Sequence, residues 1–301
     1  MADSKTTTAG VLYALAAYGT WGFAPLFWKL LTTIPSGELL AYRIVAAMVV
    51  FLLLLVWRGR FRELQRGYRD LRTLRFFVLA ALLIGFNWYL YVYAVATGNI
   101  LQGSLGYFMN PLFNVVLGMV FLGERLRPWQ WVAVALAAAG VMQLAIRSET
   151  FPWIAIALMV SFGFYGLVRK VSPVDALVGS NLETSLLVPL AAGFLVWLGF
   201  RGEAYFLQAS PGRLLLLVAT GLMTALPLLW FSNAARRLPL TTLGFFQYLA
   251  PTLQFLIAVG VYGEPFSSLQ LRCFGCIWVA LVIFSLEARR HRRRRSPVPA
   301  Y

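Results

Sequence analysis

Apolar residues along this chain fall in long blocks of similar length, separated by short polar stretches. A helix needs ~20 mostly apolar residues to cross the hydrocarbon layer. By that measure the sequence predicts ten spans, at about 10–31, 37–57, 76–97, 101–122, 129–146, 152–170, 177–200, 213–234, 240–262 and 267–287. The fifth is rich in Ala and is the weakest, yet it is apolar throughout. Runs such as Met48 to Val56 lack the period-two alternation of a barrel strand. The turns are short, as expected for helices packed beside their sequence neighbours. The predicted class is therefore an all-α membrane protein. The polar start, Met1 to Gly10, leads into a span longer than the apolar part of a signal peptide, so a retained anchor is expected.

The blocks also repeat at a fixed offset of 140 residues. Pro111-Leu112 opens a stretch that ends in Gly123-Glu124, and Pro251-Thr252 opens one that ends in Gly263-Glu264. The same offset pairs Ala94 with Ala234, Gln130 with Gln270, Asn114 with Gln254 and Arg43 with Glu183. Upstream, Tyr18 to Gly22 resembles Phe162 to Gly166 after a small shift. Two units are expected, at 10–146 and 152–287, followed by an Arg-rich tail at 288–301. Five spans is an odd number, so the second unit enters the membrane from the opposite side. Inverted repeats of this kind place a solute site near the midplane in many secondary transporters.

Composition agrees with the span count: 60% of the 301 residues are apolar and 12% are charged, against roughly 25% charge in a soluble domain. The net charge of +15 mostly reports topology. With the amino terminus inside, Lys5, the arginines from Arg58 to Arg75, Arg125, Arg127, Arg169, Lys170, Arg236, Arg237 and the tail arginines share one side. Lys29, Arg147, Arg201, Arg213 and Arg272 lie at the other. Cytoplasmic loops carry the basic excess, so both termini are expected in the cytoplasm. The tail from Arg289 to Arg295 and the basic loops are expected to touch anionic lipid, with no nucleic-acid partner. The 58–75 loop reads as a short surface helix.

Arg43 and Glu183 are the two ionisable side chains clearly inside predicted spans. Charge at that depth is costly and marks a solute or proton path by default. The structural alternative is Arg43 snorkelling outward and Glu183 pairing with a cytoplasmic arginine. Amides share the same half-spans: Asn87, beside Trp88, then Asn110 and Asn114, Asn181, Gln247, beside Tyr248, and Gln254. Each either bonds across helices or lines a path. Pro25, Pro111, Pro189, Pro227 and Pro251 are expected to interrupt their spans. Aromatics such as Trp21, Trp28, Trp88, Tyr91, Tyr107 and Tyr165 form interface belts or packing, and any that face a cavity suit an aromatic or amphipathic solute.

Cys273 and Cys276, with His291 in the tail as the lone histidine, give neither a zinc set nor a redox context. No phosphate-binding glycine loop precedes a Lys-Ser or Lys-Thr pair. Neither an enzyme nor a cofactor is expected. The small-residue run Ala135 to Gly140 could pack on another helix of this chain or of a second copy, which leaves a homodimer open.

Several stretches carry a family resemblance: Ala16 to Gly22, Asn87-Trp88, Leu105 to Leu112 with Gly123-Glu124-Arg125, Phe164 to Lys170, and Leu243 to Thr252. Over roughly residues 9 to 287 the chain resembles the RarD type of EamA transporters, in the drug/metabolite transporter superfamily. The resemblance implies ten helices as two EamA units around a central cavity, residence in a bacterial inner membrane, and export by a secondary mechanism. The type is named for an association with chloramphenicol sensitivity. The expected function is alternating-access transport of a small organic metabolite or drug. The substrate path would include Arg43, Glu183, Asn87, Trp88, Asn110, Asn114, Tyr165, Asn181, Gln247 and Tyr248, with Glu183 as a candidate proton carrier. The alternative is a membrane scaffold or sensor without flux.

Overall fold

The computed structural model describes residues 2–146 and 151–295, with side chains from residue 8 to residue 290. Arg147 and the tail beyond Arg295 lie outside the described residues, as do the side chains of Lys5, His291 and Arg292 to Arg295. The described chain is helical: α1 Ala2–Trp28, α2 Ser36–Trp57, α3 Phe61–Arg69, α4 Leu71–Ala96, α5 Ile100–Leu122, α6 Pro128–Ala145, α7 Trp153–Lys170, α8 Ala176–Phe200, α9 Pro211–Arg237, α10 Leu240–Gln247, α11 Leu249–Gly260 and α12 Ser268–Arg295. Nine spans among the described residues are long and apolar enough to cross a membrane, counting α10 and α11 as one. The tenth crossing is α1, whose middle is diluted by Tyr18, Gly19, Thr20, Trp21 and Gly22. Large apolar side chains such as Leu53, Leu82, Phe121, Leu190 and Leu215 are exposed around the bundle. On a membrane protein these are the side chains that meet lipid.

Helix starts recur at the offset read from the sequence: Ser36 and Ala176, Leu71 and Pro211, Ile100 and Leu240, Pro128 and Ser268. Their caps recur too. Gly123 and Gly263 both take left-handed backbone, φ 64° and 63°, which only Gly adopts at no steric cost. The amides of Glu124 and Glu264 then bond back to Gly118 and Ala258. Gln130 and Gln270 each accept the backbone N–H three residues earlier. Helix packing respects the same exchange. α6 pairs with α12, α2 with α8, and α5 with α10; α1 on α9 matches α7 on α4, and α2 on α9 matches α8 on α4. Gly22 rests on Leu253 and Gly163 on Phe113. Residues 113 and 253 are 140 apart, so packing equates Gly22 with Gly163, a different register from the sequence match of Tyr18 with Phe162.

Two expectations need correction, and one open alternative is resolved. Only the ninth span is interrupted by its proline: α10 stops at Gln247 and α11 resumes at Leu249, because Pro251 has no N–H to offer the turn before it. Pro25, Pro111, Pro189 and Pro227 sit inside continuous helices. The last helix does not end near 287 but continues through the arginines to Arg295. The small-residue run of α6 packs on α12 of the same chain, with Gly140 against the Cys273 carbonyl.

Helix α3 is the surface helix expected from the loop: Leu64 is buried and the arginines face out. Arg60 bonds Glu63, which holds that carboxyl below the usual range, and also pairs with Asp175. Asp70 caps α4, and its bonds from Thr73 and from the Arg72 and Thr73 amides keep its carboxyl low as well.

Candidate functional site

Between α1, α2, α4, α5, α7, α9 and the α10–α11 break lies a cavity of about 410 Å³. That volume lies in the range of small-molecule sites. Its lining includes Trp28 and Ser36 beside the α1–α2 turn and Val95 at the end of α4, so it reaches one face of the bundle. Its far end is Tyr18, Ile84, Phe162, Leu228 and Gln247, each near the middle of its helix or span.

Arg43 projects into this space two turns along α2. Its Nε donates to Thr224 Oγ1 at 3.2 Å, and its guanidinium carbon lies 4.5 Å from the Trp28 ring and 5.8 Å from Trp88. The approach depends on Gly221, one turn before Thr224. A Cβ there would stand 2.6 Å from the Ala46 carbonyl oxygen, so glycine lets α9 rest on α2. Trp21, Tyr91, Tyr107, Ala250, Pro251 and Gln254 complete much of the wall.

Beyond the cavity's far end the polar groups are locked together. Arg169 and Glu183, both wholly buried, pair at 3.4 Å. Arg169 also donates to Ser232 Oγ at 2.9 Å, the Ala176 carbonyl at 3.0 Å and Ser180 Oγ at 3.2 Å. Tyr165 OH donates to the other Glu183 oxygen at 2.8 Å and stacks on Phe231. Arg169, which the sequence counts with the basic residues of one side and not among the ionisable groups clearly inside spans, is wholly buried. Gly179 lets its guanidinium pass within 2.5 Å of where a Cβ would stand, which draws the side chain between α7 and α8. Glu183 accordingly pairs with an arginine from the cytoplasmic set, the structural alternative raised for it, and does not line the cavity with Arg43.

Toward the same face, Glu124 caps α10 by accepting the Leu240 and Thr241 amides at 2.6 and 2.9 Å. Lys170 donates to the Ala235 and Leu238 carbonyls. This face is tied by the Glu124 cap, which joins the two halves, and by the Arg169 and Lys170 bonds within the second half, while the other face holds the cavity mouth.

Of the sequence-derived candidates, Arg43, Asn87, Trp88 and Gln247 line the cavity. Asn87 also donates to Ser161 and the Leu158 carbonyl and accepts from Tyr107. Asn110 donates to the Met159 carbonyl, and Asn114 donates to Asn110 and Gln247. Those amides join helices behind the wall. Tyr248 turns away to the Phe108 carbonyl, Tyr165 belongs to the ion-pair layer, and Asn181 is buried with no described hydrogen-bond partner for its amide. Gln254, an in-span amide that the sequence left open between lining and packing, also lines the cavity; sequence reasoning missed Thr224 and Tyr18, whose one signal was polarity inside an apolar block.

The sequence profile of the EamA-like transporter family matches residues 8–146. An uncharacterized transporter of Vibrio cholerae is 44% identical over 98% of both chains. Protein RarD of Escherichia coli K12 is 44% identical over 98% of this chain and 99% of its own length. This chain belongs to the EamA-like transporter family. As a family member it is a multi-pass membrane transporter of the drug/metabolite transporter group, and these relatives are named as transporters or as RarD, not as enzymes. A further relative, of Pseudomonas aeruginosa, 34% identical over 95% of this chain and 97% of its own, is named chloramphenicol-sensitive protein RarD. A crystal structure of a protein only 20% identical shares the fold, with a TM-score of 0.72 over 95% of this chain and 98% of that one.

Proposed function

We propose that this EamA-family chain is a secondary transporter that exports a small organic solute from a bacterial cytoplasm by alternating access. The observation that carries the reading is the one-sided cavity, open between helices at one face and ending at mid-bundle on Tyr18, Ile84, Phe162, Leu228 and Gln247, with the Arg169–Glu183 pair beyond. The basic excess of the tied face supports a cytoplasmic location for it and for both termini. The cavity mouth then opens outward, on a protein of the inner membrane whose basic helix α3 and tail lie at anionic lipid.

The recurrence of helix starts and caps at 140 residues, with pairings unchanged on exchange of the two units, supports two inverted copies. In such a carrier the second state arises when the units trade conformations. Position 43 then closes into a layer while position 183 opens onto an inner cavity. Glu183 would meet solute or protons only in that second state. A scaffold or sensor without flux gives no reason for a cavity lined by a half-buried arginine that has no ion-pair partner among the described residues.

Purified protein in proteoliposomes, loaded with a fluorescent organic solute, tests the reading. Flux that depends on the protein and saturates is expected, and no protein-dependent flux across a broad solute panel overturns it. Repeating the assay with and without a pH gradient tests coupling; full gradient-driven activity in Glu183→Gln removes the proton role.

A further inference from the structure

The lining narrows the class of solute, on the assumption that the cavity is the transport site. Among the described residues that line it, Arg43 is the one charged side chain. Arg43 enters none of the ion pairs among the described residues. This contrasts with Arg169, which has a carboxylate and three further acceptors. A cation held at membrane depth without a counter-charge is costly, and the surroundings offset only part of that. Trp28 and Trp88 offer π faces, and Thr224 takes the Nε proton. The rings accept no conventional hydrogen bond, so they leave the terminal N–H fork for a ligand. That fork matches the two oxygens of a carboxylate.

The rest of the lining specifies the body. Trp21, Trp28, Trp88 and Phe162 give the wall flat apolar surfaces. Tyr18, 1% exposed, brings to the floor a hydroxyl with no described hydrogen-bond partner. A cation would meet like charge at Arg43, and a neutral solute would leave the arginine uncompensated.

We propose that the cavity selects a small organic monoanion, with its carboxylate on Arg43 beside Thr224 and a planar apolar body against the tryptophan rings. Binding of four probes to the full-length protein in detergent, followed by titration calorimetry, tests this. The probes are naphthoate, its neutral amide, its methylammonium counterpart, and cyclohexanecarboxylate, which keeps the charge but loses the plane. Naphthoate is expected to bind about tenfold or more tighter than the amide and tighter than cyclohexanecarboxylate, with no saturable binding of the ammonium compound. Arg43→Gln is expected to abolish the preference for naphthoate over the amide, and Arg43→Lys to keep it in weakened form. If neither variant folds, Thr224→Val is expected to weaken naphthoate while sparing the amide.

The proposal is overturned if naphthoate shows no saturable binding. It is equally overturned if the amide or ammonium probe binds as tightly, or if the variants leave the preference intact. Counterflow of naphthoate in proteoliposomes separates this failure from failure of the transport reading. Charge-selective binding with no flux overturns the carrier and keeps the anion site; flux with no charge preference does the reverse.

Discussion

The buried Arg169–Glu183 pair gives a sharp test of the tied face. Glu183→Gln leaves the Arg169 cation in place with three neutral acceptors, Ser232, Ser180 and the Ala176 carbonyl. Arg169→Met leaves the Glu183 carboxylate with the Tyr165 hydroxyl alone. Breaking a buried pair by removing one partner costs about 3–5 kcal/mol, whereas replacing both partners is often close to neutral. Because Arg169 keeps three bonds, Glu183→Gln belongs near the low end, about 3 kcal/mol, and Arg169→Met nearer the high end. If that energy belongs to the closed face, about 3 kcal/mol shifts the open-to-closed ratio by about 10².

A reporter thiol reads this ratio. Ala235 is wholly buried on α9, and its carbonyl accepts from Lys170. Ala235→Cys, in a background with Cys273→Ala and Cys276→Ala, places a single thiol behind the layer. Labelling in inside-out vesicles by a small thiol reagent is expected to run about 10² times faster in Glu183→Gln and faster still in Arg169→Met. The double variant is expected near the parent rate. Equal rates in all four proteins, or a double variant as fast as the faster single, would refute the argument that this pair holds the face closed.

Other contacts make separable predictions. Gly106→Ala pushes a methyl to 2.9 Å from the Ala155 carbonyl oxygen and is expected to cost about 1–3 kcal/mol by overpacking. Thermal unfolding in detergent reads it against Gly19→Ala, where nothing lies within 4 Å and no loss is expected. Glu124→Ala removes the α10 cap, with an expected loss of about 1–2 kcal/mol, while Glu264→Ala at the exposed repeat equivalent leaves the melting temperature unchanged. Pro251→Ala restores a donor at the α10–α11 break; the protein is expected to melt no lower while solute flux falls several-fold, and unchanged flux argues against the break as a moving joint.

Most of the fold was legible because bilayer thickness forces each crossing to declare itself as a block of apolar residues, and no tertiary contact can shorten that block. The weakest block by sequence, α6, is still a full helix because Ala133, Ala137 and Gly140 close on α12. The site was less legible. Polarity within a block identifies a side chain that needs a partner, but not whether the partner is protein or solute. Asn87 and Asn110 are equally polar and equally buried, yet only Asn87 borders the cavity. Arg169 was misread for the opposite reason: it stands one residue from a helix end, where sequence alone reads solvent, and the close approach at Gly179 that buries it is long-range information.

The fixed offset joins these two limits. Residues 43 and 183 hold the same place in their units, one helix start being 140 residues from the other. Their surroundings nevertheless differ: Arg43 borders the cavity, and Glu183 is sealed in an ion pair. Local chemistry accounts for part of this, since one position is Arg and the other Glu; on the proposed inverted-repeat reading the rest belongs to the global state. On that proposal the two halves would display in one molecule both conformations that each unit adopts in turn. On that argument an inward-open form should free Glu183 from Arg169 and bring Arg43 under cover. An Arg43 thiol replacement, Arg43→Cys, should accordingly be protected from outside reagent in Glu183→Gln and reactive in the parent.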